Sequence, residues 1–264
     1  MYRLLSFDGV TLPVARSVFE GGPGPGVAGA VMLPGGGAWD GWGSGNSRSG
    51  PYQIGYSCVA EGASISALRT TLDAIRAKAG ERGTLTRRLI GGSEDHTVTA
   101  RLLSVEISTK PEHSLTARPH QPLTLTWEVL SSVWSGADGT VSGSLDSSPK
   151  NVTVANDGNI PVEDAVVTIT AAGSAITSCT VAVSGISSWT YSGSIAVGES
   201  LVVDCGAMSV QNNGSDDYDN FALDGGHVID AWLRLEAGNN TVAISRTGGS
   251  AASGYEVAFS DGWA

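Results

Sequence analysis

At 264 residues the chain is long enough to bury a sizeable core, as one large domain or two ordinary ones. Its net charge of −11 excludes binding to nucleic acid by phosphate neutralisation, and a hydrophobic share of 41% excludes wholesale disorder. No apolar run approaches the ~18 residues of a membrane helix, so no membrane partner is expected.

Glycine is the compositional outlier, at 36 residues, about twice the ~7% of average usage. Residues 2–20 read as two short strands around an Asp8-Gly9 turn. Residues 21–50 form a long Gly/Pro loop, in which Trp39 and Trp42 point to docking of part of the segment. Within it, Gly24-Pro-Gly26-Val-Ala-Gly29 satisfies GxGxxG literally. It follows no strand and opens no helix, so no dinucleotide site is expected. Tyr52–Val59 alternates as a strand. Ser64–Ala79 is predicted helical, with Ile65, Leu68, Leu72, Ile75 and Ala79 on one stripe and Ser64 as N-cap. Leu85–Ile90 and Thr97–Ser108 read as a hairpin over residues 91–95. Pro122–Trp134 reads as a long strand with Leu123, Leu125, Trp127 and Val129 on one face.

Residues 135–150 are rich in Gly, Ser and Asp and are expected to be a linker. Only strands follow: Val152–Ala155, Ala165–Thr170, Thr177–Val183, Leu201–Asp204, Met208–Val210, Trp232–Leu235, Thr241–Ile244 and Tyr255–Phe259. Short strands at this spacing predict a sandwich of roughly 110 residues.

Chemistry-bearing patterns are sparse. Cys58, Cys179 and Cys205 lack CxxC spacing and read as buried free thiols. His96, His113, His120 and His227 make no metal-ligand pair. No Gly-x-Ser-x-Gly elbow occurs, and Glu61, Glu94, Asp95 and Glu106 suggest no acid/base pair. No catalytic residue and no cofactor follow. Asp216, Asp217 and Asp219, near Asn212, Asn213 and Asn220, are the best metal candidates, although a solvated acidic hairpin tip explains them as well. Trp189 and Tyr191, with Trp263 near the end, could stack on sugars; sandwich cores also use aromatics. The N-terminus has no apolar h-region, so synthesis and assembly in a cytoplasm are expected.

Three segments carry a family pattern. Ile195-Ala-Val-Gly-Glu-Ser-Leu-Val-Val-Asp204 is a strand, a turn on Gly198 and a strand. Met208–Gly214 ends in an Asn-Asn-Gly turn. Trp232–Ile244 reads as a hairpin over Glu236-Ala-Gly-Asn-Asn240. Together they resemble the C-terminal β-sandwich of the distal tail protein family of long-tailed (siphovirus) phages, with Ala237 where that family usually has Pro.

The resemblance implies a mainly β fold. An N-terminal β-barrel-like domain with one helix (1–134) precedes a galectin- or carbohydrate-binding-module-like β-sandwich (151–264). It implies a non-enzymatic virion protein of the tail tip: a homo-hexameric ring joining the tail tube to the hub, fibre or baseplate. Tape-measure protein and DNA would pass through without specific binding, and assembly would occur in the host cytoplasm. On that basis Thr97, Thr99, Arg101, Leu123, Leu125 and Trp127 are candidate subunit-interface residues, on strands supplying edges to neighbours. Glu94 and Asp95 are candidate channel-facing groups. The alternative is a carbohydrate-binding adhesin using Trp189 and Tyr191. A glycan hydrolase is weaker still, for want of a carboxylate pair. Native size separates ring from adhesin.

Overall fold

A computed structural model of the protein describes residues 2–13, 15–20, 31–32, 38–39, 52–107, 119–130, 133–224 and 232–263. The chain divides into two compact units, Met1–Trp134 and Ser135–Ala264, and both are mainly β.

The first unit comprises β1 (Tyr2–Phe7), β2 (Val10–Thr11), β3 (Ala15–Glu20), β4 (Val31–Met32), β5 (Ala38–Trp39), β6 (Tyr52–Glu61), α1 (Ile65–Arg76), β7 (Arg82–Leu89), β8 (Asp95–Ile107) and β9 (His120–Val129). Its main sheet is antiparallel in the order β2-β1-β7-β8-β9-β6-β3, and β4 pairs with β5. Among the described residues the path does not close into a barrel, and the mainly β class with one helix holds. Asp8 at φ 45° and Gly9 at φ 79° make the predicted two-residue reversal. Both angles are left-handed, as a tight hairpin matching strand twist requires.

Strict alternation builds the core of this unit. Leu123, Leu125, Trp127 and Val129 are all buried on β9, as their spacing predicts. Phe7 and Tyr56 pack tilted and edge-on against Trp127, with ring centroids 6.2 and 6.0 Å away. The Tyr56 hydroxyl donates to the Pro13 carbonyl at 2.6 Å, so a buried polar tip is satisfied. The helix starts where expected, since Ser64 Oγ accepts the Ala67 N–H at 3.1 Å. It is shorter than its stripe: only Leu72 and Ile75 are buried, while Ile65 and Ala79 are exposed.

The second unit comprises β10 (Trp134–Ser144, its first residue closing the first unit), β11 (Lys150–Asn156), β12 (Val166–Thr170), β13 (Ile176–Val183), β14 (Ser187–Tyr191), β15 (Ser200–Asp204), β16 (Ser209–Asn212), β17 (Ser215–Asp216), β18 (Phe221–Leu223), β19 (Gly238–Gly248) and β20 (Gly254–Trp263). One sheet runs β17-β16-β15-β12-β20-β10 and the other β11-β19-β13-β14-β18. Their inner faces share one core that includes Val152, Val167, Ile169, Val181, Trp189, Tyr191, Leu201, Val203, Ile244 and Val257. This is the layout of a β-sandwich.

Two expectations fail here. Residues 135–150 are largely strand β10 and not a linker. Their glycines lie under aromatic rings: a Cβ on Gly139 would come within 2.5 Å of Phe259 Cζ, and one on Gly143 within 2.9 Å of the Tyr255 hydroxyl. Trp232–Leu235 is not a strand returning as β19. Leu235 only bridges Val162, and β19 pairs with β11 and β13. Asn240 holds the intervening turn, accepting from the Glu236 N–H at 2.8 Å and donating to the Glu236 carbonyl at 2.8 Å. Strands β14 and β18 lay outside the sequence reading. Beyond β4 and β5, the expectations for residues 21–50, including Trp42 and the GxGxxG match, lie outside the described residues, as do His113 and His227.

Because Gly139 sits beneath the Phe259 ring, Gly139→Ala should destabilise the protein by ~1–3 kcal/mol through overpacking. Thermal or urea unfolding checks this. A neutral result would mean that the segment behaves as the linker its composition suggests.

Candidate functional site

The β7–β8 reversal carries Glu94 and Asp95. Asp95 is held by Arg88 through two hydrogen bonds, Nε–Oδ1 at 2.5 Å and Nη2–Oδ2 at 2.9 Å. This fork keeps the Asp95 carboxyl below the usual carboxylate range and raises Arg88. Asp95 is therefore charge-compensated locally. Glu94 lies 3.9 Å from His96 Nε2. His96 is buried, and burial first and the neighbouring Arg87 second push its pKa down. Arg87 is buried too, with its guanidinium 4.1 Å from the Trp134 ring centroid and 4.9 Å from that of Tyr2.

The six candidate interface residues do not form one surface. Even-numbered residues of β8 (His96, Val98, Ala100, Leu102) point into the core. Thr97, Thr99 and Arg101 therefore lie on the opposite, accessible face. Leu123, Leu125 and Trp127 are buried within their own unit, so they cannot present side chains to a neighbouring subunit. Nor do these strands supply free edges. β8 lies between β7 and β9, and β9 between β8 and β6. The ends of the path are β2 and β3.

The sugar platform is also corrected. Trp189 and Tyr191 are both 0% exposed, so neither ring can stack on a glycan. Their separation of two residues on one strand puts both on the inner face of β14. Trp189 stacks tilted on Phe221 at 5.6 Å, and Phe221 continues to Trp232 at 4.5 Å.

The acidic segment serves the core. The Tyr191 hydroxyl donates to Asp217 Oδ2 at 2.6 Å and accepts from Asn212 Nδ2 at 2.9 Å. Asn220 Nδ2 donates to the other Asp217 oxygen at 2.7 Å. Asp217 is thus the acceptor at the end of a buried ring, and its pKa is lowered chiefly by the Tyr191 hydrogen bond. Asp216 accepts from Gln211 Nε2 at 3.3 Å. Among the described residues no group of three His, Cys, Asp or Glu could hold a metal ion. The missed signal was the pairing of Tyr191 with an Asn-rich turn, where a buried hydroxyl needs partners.

A cavity of about 390 Å³ is lined by Ser57, Cys58, Glu106, Ile107, Pro122, Leu123 and Thr124. Burial pushes the Cys58 thiol up to about 12, so it offers no thiolate nucleophile there.

The geometry defines a mainly β, two-unit protein whose large aromatic side chains serve its core. No protein-family model matches the chain, and no curated protein matches it in sequence. Among solved structures, the chain is similar to the crystal structure of phage SPP1 Dit (gp 19.1), described as a paradigm of the hub adsorption apparatus in phages infecting Gram-positive bacteria. The match has a TM-score of 0.60 at 11% identity and covers 100% of both chains. The chain shares that fold. A weaker likeness, to the phage P2 baseplate in its activated conformation with Ca, has a TM-score of 0.37 at 8% identity, over 97% of this chain and 90% of that one.

Asp217→Ala should cost on the order of 1–3 kcal/mol, because the Tyr191 hydroxyl loses its acceptor. Added Ca²⁺ should leave the melting temperature unchanged; a clear rise would restore the metal reading. The pH dependence has a defined sign. Asp217 has a folded pKa below its unfolded value, so its stabilisation is present above the ordinary carboxylate range and lost as pH falls through the lowered value. Asp217→Asn should remove that part of the acid-limb dependence in a pH series of melts.

Proposed function

We propose that the protein is a distal tail protein, a structural ring at the tip of a phage tail that joins the tail tube to the hub or baseplate. The observation that carries this reading is the shared fold with SPP1 Dit across the whole of both chains. The segments Ile195–Asp204 and Met208–Gly214 add to it. The first folds as a turn on Gly198 at φ 85° leading into β15, and the second contains β16 and a turn with Asn213 and Gly214 in left-handed conformations. The adhesin alternative loses its main support, because its two aromatic residues are core residues.

On this reading six copies close a ring around a channel through the Met1–Trp134 units, and these units fold as domains distinct from the Ser135–Ala264 units. A closed ring uses head-to-tail contacts between unlike patches. The accessible face of β8 with Thr97, Thr99 and Arg101 is the patch proposed to remain for such contact. The tail tube, a tip hub or fibre and the tape-measure protein are the proposed partners, with DNA as passing cargo, in a virion assembled in the host cytoplasm. Glu94 is the better channel-facing candidate of its pair, since Arg88 compensates Asp95. A negative wall repels phosphate and prevents the salt-dependent retention that free arginines cause.

Native mass spectrometry should show six times the 26.9 kDa chain mass. A monomer at micromolar concentration would sink the ring. Thr99→Arg should shift the population toward monomer with little change in melting temperature, because its side chain is outside the core. Linear DNA should pass a filter carrying the purified ring at low salt. Tight, salt-sensitive retention would contradict the repulsive channel.

A further inference from the structure

The edges of the second unit are not protected alike. Strand β17 at one end of its sheet has two residues, and β18 at one end of the other has three. Such short strands offer little to pair with. Strand β11 differs. It runs seven residues, Lys150–Asn156, and among the described residues it pairs only with β19. That register is unbroken from Lys150↔Ile244 to Asn156↔Gly238, without a bulge to twist the edge away. No proline interrupts it. Its outward side chains, Asn151, Thr153 and Ala155, are small, uncharged and exposed, while Val152 and Val154 are buried.

We propose that β11 is a self-association edge, pairing antiparallel with β11 of a second copy of this chain across a two-fold axis at Thr153. Three observations select a second copy. Although copies of net charge −11 repel overall, β11 carries no carboxylate, so this edge is a place where two copies can meet. Centring the axis on Thr153 lets all seven residues pair, with Asn151 opposite Ala155 and Lys150 opposite Asn156. Neither pair sets like charges together. The two Lys150 residues then stand at opposite ends of the seam, about 20 Å apart at ~3.4 Å per residue. The partner strand has the same regular register, so the two sheets continue as one.

A single seven-residue seam is small beside the ~1,200–2,000 Å² of stable interfaces. The contact is therefore concentration-dependent alone and strengthened when several copies are held together. It does not rest on the ring: it predicts contact at a different unit.

The test uses the full chain with Thr153→Cys. Burial holds the native thiols inert, with Cys58, Cys179 and Cys205 each pushed up to about 12, so an introduced cysteine reports alone among the described residues. Mild oxidation at high protein concentration should give a disulfide-linked pair at least ten-fold faster than for Thr247→Cys. Thr247 is also exposed but lies on β19, an inner strand of its sheet, where it is in register with Ser178 of β13. Equal rates for the two, or no linkage of Thr153→Cys, would overturn the proposal. A second readout needs no cysteine. Thr153→Lys and Thr153→Glu each set like charges face to face on the axis and should lose concentration-dependent association in sedimentation. Mixing the two should restore it. Failure to recover on mixing excludes the two-fold register. Both variants should keep the native ring mass, so loss of the ring and loss of the edge are separately visible.

Discussion

Backbone in the second unit has to give way to aromatic rings. Phe259 and Tyr255 on β20 lie over Gly139 and Gly143 of β10, and the Tyr191 hydroxyl approaches Gly193 so closely that a Cβ there would collide with it. Glycine is needed at these places because side-chain volume is missing where the rings sit, not because the chain must bend. Backbone approaches backbone as well: a Cβ on Gly158 would fall onto the Gly262 carbonyl, next to the bonds that Asn159 and Ile160 donate to that carbonyl. The sheet path through β12, β20 and β10 depends on this economy of volume. So does the assignment of bulky residues to the inside.

That commitment shapes what the surface can do. With Trp189, Tyr191 and Trp127 enclosed, the accessible sheet faces are left with short polar residues such as Thr180, Thr190 and Ser245. Thr180 and Thr190 bond to each other across β13 and β14 at 2.9 Å, and Thr190 also donates to Asp224 at 2.9 Å. Among the described residues, the groups with the largest shifts do not lie on these faces. The strongly shifted groups are instead buried structural ones, the three thiols and the Tyr191 hydroxyl.

Where a feature depended on neighbouring residues, it was legible. The inward series Leu123, Leu125, Trp127, Val129 follows from a period of two, and the Asp8-Gly9 and Asn213-Gly214 turns from the residues that tolerate left-handed backbone. The N-cap at Ser64 belongs to the same class. What was hidden depended on distant partners. Gly139 reads as flexible until Phe259 is placed over it. Thr241–Ile244 reads as the return of Trp232–Leu235 until β11 and β13 take both sides of β19. The candidate sites erred for a related reason. Residue type alone points to those positions, whereas the side of the strand decides what each can touch. Alternation already placed Trp189 and Tyr191 on one side and Leu123, Leu125 and Trp127 on another, and a bulky series on one side of a sandwich strand belongs to the core.

The same logic separates the two kinds of contact available to the molecule. In the first unit, β8 and β9 are each paired on both sides, so they offer side chains: those of odd-numbered β8 residues before the register shift near Leu102 and the even-numbered ones of β9. A face of that kind selects its partner by shape and charge, and on it Arg101 sits in register with Glu128 of β9. In the second unit, β11 offers backbone, which selects by register and tolerates any side chain that does not clash. Face contacts between unlike patches close rings, while an edge meeting its own copy imposes a two-fold axis. One chain can carry both without conflict because they are different surfaces under different symmetry. The small outward residues of β11 then have a physical reason: any charge placed at Thr153 would face itself.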